Sequence, residues 1–302
     1  MRRLPRSGSG ELTESPFRGR QTQVPENPIV TCGFEDIDDP NVDGKVVPGG
    51  ESSGKFRFGH QSRLRLHLSL LHQLMGRGEE PVLQYYDTTV YRSDLSNLYD
   101  DEWFNDNNIS FLYEYLERTR LKEYHKNGKI VLLRPSMAYL LRHTDDPSSL
   151  KPVLPNLDRA RFIFLPINDN PDVSAIEGGA HWSLLVVSTM DKKTLYYDTL
   201  HRANYQVSMQ TSTKLGQLLG IQLGFVVLPT PQQINMSDCG VLVCEITALL
   251  LFRLLNIKPS NGNKVDFALD NVYLIASAGR SFILTVILEL IHDHSGIVRE
   301  KD

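Results

Sequence analysis

Gln233-Ile-Asn-Met-Ser-Asp-Cys239-Gly240, running on into Val241-Leu-Val-Cys-Glu-Ile-Thr-Ala-Leu-Leu-Leu251, is the stretch on which the fold turns. Its first half is polar and irregular and its second half almost wholly apolar. It therefore reads as a loop that delivers Cys239 to the first turn of a buried helix, predicted over 239–255. A helix N-terminus carries a partial positive charge and free N–H groups, so a thiolate is favoured there over a thiol. Cys244, in the middle of the apolar run, serves as the internal comparison and reads as a small packed hydrophobe.

Upstream, Gly178-Gly179-Ala180 leads into His181, which opens a strand over Trp182–Ser188. Thr194–Tyr197 makes a second strand, closed by Asp198, with Met190-Asp-Lys-Lys193 as the turn between them. Paired antiparallel, the start of the first strand lies beside the end of the second, so His181 and Asp198 come within side-chain reach. Asp198 then accepts from one imidazole nitrogen and fixes the tautomer, while the other nitrogen faces a thiol. A base, an orienting carboxylate and a nucleophile in the order His181, Asp198, Cys239 predict a thiol hydrolase. Gln233 can aim its amide N–H at a developing oxyanion beside the backbone N–H of Cys239, and Gln232 is a rival for that role.

The rest of the chain reads as an α+β domain over 81–302 preceded by an extension. Residues 1–80 are rich in Gly, Pro, Ser and charge and read as disordered or weakly structured, apart from an apolar patch at Leu64–Leu74 that fits a strand or a helix face equally. Helices are predicted over 105–118, 135–143, 205–219 and 276–292, and further strands over 161–167 and 224–228. Helices before and after a small sheet mean α+β rather than alternating βαβ units.

Composition narrows the function. The 302 residues are 41% hydrophobic and 23% charged, with a net charge of -4 and a pI near 6.1. That balance gives no reason to expect nucleic acid or a membrane surface as partner. Three cysteines, Cys32, Cys239 and Cys244, are too few and wrongly spaced for a disulfide framework or a zinc cluster, and hydrolysis through a Cys239 thiolate needs no metal or organic cofactor. Arg2, Arg3 and Arg6 precede no apolar segment, and the longest apolar runs fall short of a membrane span. A monomer in the cytosol or nucleus is the expectation.

Gly-Gly-Ala-His181-Trp182-Ser, Tyr-Asp198 and Gln233-Ile-Asn-Met-Ser-Asp-Cys239-Gly240 together resemble the Ulp/SENP cysteine peptidases, which process ubiquitin-like modifiers. Trp103-Phe-Asn-Asp106 looks like that family's segment at the start of its first helix, with Phe104 where leucine is usual; Met236-Ser237 also departs from the pattern. Pro81–Asp87, Asp94–Leu98, Ile167–Asn170 and Gly178–Leu185 look most like the deneddylase branch, whose substrate is the Nedd-type (Rub) modifier. The resemblance implies a papain-like, Ulp-type fold, a small mixed sheet flanked by helices, with His181, Asp198, Gln233 and Cys239 as the catalytic set. It further implies a narrow channel for a Gly-Gly tail closed by Trp103 and Trp182, which would select glycine by excluding larger side chains. Asp106 would bind modifier backbone or cap its helix, and the loop 168–179, with Gly178 and Gly179, would meet the modifier and move on binding. Cullin-type scaffolds are the conjugates the branch implies. The same chemistry on SUMO or ubiquitin tails, an acyltransferase with the same residue order and a silent modifier-binding module are the alternatives.

Overall fold

The computed structural model describes residues 80–122, 130–172, 178–256 and 265–299, with Ser69 and the two-residue strand Ile29–Val30. The expectations for residues 1–80, Leu64–Leu74 included, otherwise lie outside the described residues. In chain order the elements are β1 (Ile29–Val30), β2 (Pro81–Tyr85), β3 (Thr88–Tyr91), α1 (Arg92–Ser96), α2 (Asp106–Thr119), β4 (Ile130–Leu132), α3 (Pro135–His143), β5 (Phe162–Asn168), β6 (Trp182–Ser188), β7 (Lys193–Tyr197), α4 (Tyr205–Leu219), β8 (Gly224–Val227), α5 (Cys239–Leu255), β9 (Val272–Tyr273) and α6 (Ala276–Arg299).

Five strands form one mixed sheet in the order β4-β5-β6-β7-β8. The outer pairs β4/β5 and β7/β8 are parallel, while β5/β6 and β6/β7 are antiparallel. Every residue of the central strand β6 is buried, which is why its sequence is a nearly continuous apolar run rather than an alternation. Its side chains still divide by parity. Leu184 and Val186 join a core shared with α2, α5 and α6, whereas Leu185 and Val187 join a second core with α3 and α4. The sheet is thus the middle of three layers.

Helix α5 is buried from Cys239 to Leu251, so its polar first residue sits at the edge of the larger core and its remainder inside it. The predicted periodicity of α2 holds, with Ile109, Leu112, Tyr113 and Leu116 all buried. The antiparallel register Leu184↔Tyr197 leaves His181 and Asp198 just past the paired ends of β6 and β7, as the hairpin reading requires. Strands β1, β2, β3, β4 and β9 were not predicted, and β1, which pairs in parallel with β9, falls within the segment read as disordered or weakly structured. The β2/β3 turn uses Tyr86 at φ 47 where a glycine or asparagine would announce it, and β4 is too short for its period to be read. Helix α6 runs beyond the expected 292 to Arg299. Among the described residues, no helix is long and apolar enough to cross a membrane.

Candidate active site

The hairpin ends bring His181 Nε2 to 2.6 Å from Asp198 Oδ1, both residues nearly fully buried. Asp198 is held by four donors. Oδ1 also accepts the Leu200 N–H (2.8 Å), and Oδ2 accepts the Asn204 N–H (3.0 Å) and the Tyr196 hydroxyl. Burial alone would raise the Asp198 pKa, but these bonds outweigh it and hold the carboxyl below its usual value. Tyr196 is shifted upward by burial and by that carboxylate, so it stays a protonated donor.

Burial pulls the His181 pKa down, yet the Asp198 carboxylate and then the Cys239 thiol push it up to about 9. The thiol thus favours the charged imidazole, while His181 Nδ1 makes no hydrogen bond. The imidazole and carboxylate meet at the hairpin ends, as the spacing predicted. Cys239 is the first residue of α5, and the first intrahelical bond runs from Leu242 N–H to the Asp238 carbonyl (2.9 Å), which leaves the N–H groups of the opening turn free of helix partners. Cys244 is fully buried and its pKa is strongly raised by desolvation, in keeping with a packing role.

The two glutamines separate on hydrogen-bond capacity. Gln232 spends both amide hydrogens on carbonyls, of Asp198 (3.0 Å) and Thr230 (2.9 Å), and its oxygen accepts the His201 N–H (2.7 Å). Gln233 donates one hydrogen to the Asn235 carbonyl (2.8 Å), and its oxygen is fixed by the Thr199 hydroxyl (2.6 Å). One N–H of Gln233 remains uncommitted, and none of Gln232 does.

The expected substrate-contact residues fall into two groups. Trp103, next in sequence to Phe104, is 47% exposed, whereas Trp182 is only 6% exposed and gives its indole N–H to the Phe104 carbonyl (3.0 Å). Trp182 is thus largely a packed wall, and Trp103 offers the open indole. Asn105, not Asp106, caps α2, accepting from Asn107 and Asn108 N–H (3.0 and 2.9 Å), so Asp106 stands exposed with no capping task. Gly178 and Gly179 have a reason within the fold. Gly179 has φ 83, and a side chain at either position would run into Asn168, Asp169 or Asn170. Residues 173–177 of this loop lie outside the described residues.

Several organising residues carry no signal in the sequence reading. Asp169 Oδ1 accepts the N–H groups of Ala180 (2.6 Å) and His181 (3.1 Å), and Arg142 grips the carbonyls of Asn168 (2.6 Å) and Asn170. Buried Asn204 donates to the carbonyls of Ile167 (3.1 Å) and His181 (3.0 Å). Asn204 precedes a helix and would be read as a cap, but its side chain bridges strands instead. Among the described residues, no group of three or more His, Cys, Asp or Glu could hold a metal ion.

Comparison with known proteins gives a consistent picture. Residues 102–256 match the model of the Ulp1 protease family, C-terminal catalytic domain. NEDD8-specific protease 2 of Schizosaccharomyces pombe is 37% identical over 212 residues, covering 69% of this chain and 50% of the relative. Human Sentrin-specific protease 8 is 33% identical over 174 residues, covering 56% of this chain and 80% of the relative. This chain therefore spans half or less of the two S. pombe relatives, 50% and 42%, and most of the human one. Among solved structures, the C-terminal Ulp1 protease domain in complex with Smt3, the yeast ortholog of SUMO, superimposes with a TM-score of 0.53 at 21% identity, covering 82% of this chain and 99% of that one. The likeness in structure speaks to the fold.

Proposed function

Since the chain belongs to the Ulp1 protease family, we propose that it is a thiol isopeptidase and processing peptidase that cleaves after the C-terminal Gly-Gly of a Nedd-type (Rub) modifier. One observation carries the chemistry: a buried imidazole hydrogen-bonded to the Asp198 carboxylate, with its charged form favoured by that carboxylate and by the thiol that opens α5. The Cys239 thiolate attacks the carbonyl of the modifier's terminal glycine. The oxyanion is met by the Cys239 N–H and the uncommitted N–H of Gln233. Protonated His181 gives its proton to the leaving lysine or peptide amine, and a thioester remains on Cys239. His181, now neutral, takes a proton from water, whose oxygen attacks the thioester and releases the modifier.

Trp103 and Trp182 would wall the tail channel, and exposed Asp106 would contact modifier backbone near its mouth. Two relatives named for NEDD8 and three named Sentrin-specific protease 8, all at 33–37% identity, support the Nedd-type assignment over SUMO. Proteins carrying that modifier on lysine, cullin-type scaffolds among them, are the proposed conjugates, met by a monomer in a reducing compartment. Cleavage of a SUMO tail by the same residues is the second reading. A panel of Nedd-type, SUMO and ubiquitin C-terminal fluorogenic amides tests the assignment. The Nedd-type amide should be turned over fastest, and Cys239→Ala should bind that modifier without cleaving it. Cleavage by the alanine variant, or preference for another tail, overturns the proposal.

A further inference from the structure

Arg280 lies near the start of α6, far in sequence from every catalytic residue, yet its guanidinium is one of the most buried charges among the described residues, at 1% exposed. Nη1 donates to the carbonyls of Asn97 (2.7 Å) and Tyr99 (2.9 Å). Nη2 donates to the Glu102 carbonyl (2.8 Å) and to Asp238 Oδ1 (3.0 Å), with the Ser237 carbonyl at 3.4 Å. The same guanidinium lies over the Phe104 ring, 5.1 Å from its centroid. One side chain thus ties the loop carrying Trp103 and Phe104 to the two residues that precede Cys239.

These segments also meet on their other side. The Phe104 carbonyl takes the Trp182 indole N–H, and a Cβ on Gly240 would stand 2.6 Å from Phe104 Cβ and 3.3 Å from Trp182 Cδ1. The turn after the nucleophile is therefore packed without slack against Phe104 and Trp182, and its spacing from the Trp103–Phe104 loop is set by whatever fixes the two loops. Only a rigid, multiply donating group can satisfy several carbonyls and a carboxylate from one point, which an ammonium cannot do.

Resting on the function proposed above, we infer that Arg280 is a positioning residue for the reaction: it locks the Trp103 loop to the Cys239 loop so that the channel wall and the nucleophile keep one spacing. A misplacement of about 1 Å in such an arrangement costs on the order of 10²-fold in rate. The test is Arg280→Lys, which keeps the charge and loses the fork. Cleavage of the Nedd-type amide should fall about 10²-fold, mainly in kcat, whereas alkylation of Cys239 by iodoacetamide, which needs the thiol and His181 but no channel, should stay within about threefold. Amide hydrogens at 100–104 and 234–240 should exchange about tenfold faster, with α4 unchanged as the internal control, as expected for the loss of a charge-assisted bond.

Undiminished cleavage overturns the inference, as does a parallel loss of cleavage, alkylation and α4 protection, which would mark a general role in stability. Should Arg280→Lys fail to fold, Asp238→Asn weakens the ion pair, and with it the bond from the Asn235 side-chain amide (2.9 Å) within its own loop; it must still loosen 100–104, a segment to which neither Asp238 nor Asn235 belongs, and unchanged exchange there overturns the inference. If the wild type cleaves no Nedd-type amide, the functional proposal fails by itself, and the exchange measurement still decides the role of Arg280.

Discussion

Replacing Asp198 by asparagine should separate the structural and the chemical work of the carboxylate. Its two oxygens accept four donors: His181 Nε2 and the Leu200 N–H at one, the Tyr196 hydroxyl and the Asn204 N–H at the other. An amide has a single oxygen. If that oxygen takes the His181 side, the new NH2 faces the Tyr196 hydroxyl, which can rotate, and the Asn204 N–H, which cannot. If it takes the Tyr196 side, the NH2 faces His181, which can change tautomer, and the Leu200 N–H, which cannot. Either orientation orphans one buried N–H, so Asp198→Asn should cost about 1–3 kcal/mol of stability and still fold.

Catalysis should suffer more. The loss should be on the order of 10⁴-fold, as when the orienting carboxylate of a triad becomes an amide. Without the carboxylate, burial dominates and the imidazole pKa drops from about 9 toward or below its ordinary value. The alkaline limb of the pH–rate profile, where His181 loses the proton it must deliver, should move to lower pH accordingly. The linked effect on stability has a definite sign. A folded pKa above the unfolded one means that His181 contributes fully below about pH 6.5 and that this contribution fades as pH rises through about 9. For the wild type that is roughly 3 kcal/mol, and in Asp198→Asn the slope should flatten. Urea denaturation and amide cleavage followed from neutral to alkaline pH would check both. An alkaline limb that does not move, with the stability slope unchanged, would refute the electrostatic role given to Asp198.

Other variants test neighbouring claims. Gln233→Ala should lower kcat by about 10²–10³-fold with a small change in melting temperature, whereas Gln232→Ala should chiefly lower the melting temperature, because it strips partners from Asp198, Thr230 and His201 backbone; single-turnover kinetics with thermal melts would show an exchange of these effects if Gln232 were the oxyanion donor. Gly240→Ala places a Cβ against Phe104 and Trp182 and should cost about 1–3 kcal/mol while raising KM for the modifier amide, read from steady-state kinetics. Cys244→Ala should lose about 1–3 kcal/mol from a small cavity and retain full labelling at Cys239 by a modifier vinyl sulfone, checked by peptide mass spectrometry.

Much of the fold was legible because its central elements are long and strongly patterned. Strand β6, helix α3, helix α4 and helix α5 lie where their apolar runs, proline start and polar-to-apolar boundary place them. The β2/β3 hairpin was not, because Tyr86 takes its positive φ without the residue types that advertise one. Asn105 rather than Asp106 as the cap of α2 was also hidden, since both residue types suit the position and the choice depends on where the chain enters the helix.

The sequence by itself determined where the proposed nucleophile and its two partners fall, because each sits at the end of a strong local element: a cysteine at a polar-to-apolar boundary, and a histidine and aspartate at adjoining ends of one hairpin. Which glutamine keeps a free N–H, which tryptophan is open and which arginine holds the channel to the nucleophile were decided only by the tertiary structure. Those answers depend on how many donors and acceptors surround an atom in space. Partners such as Arg280 and Asn97 are brought together by the packing of α6 against the core, and no pattern along the chain encodes that contact.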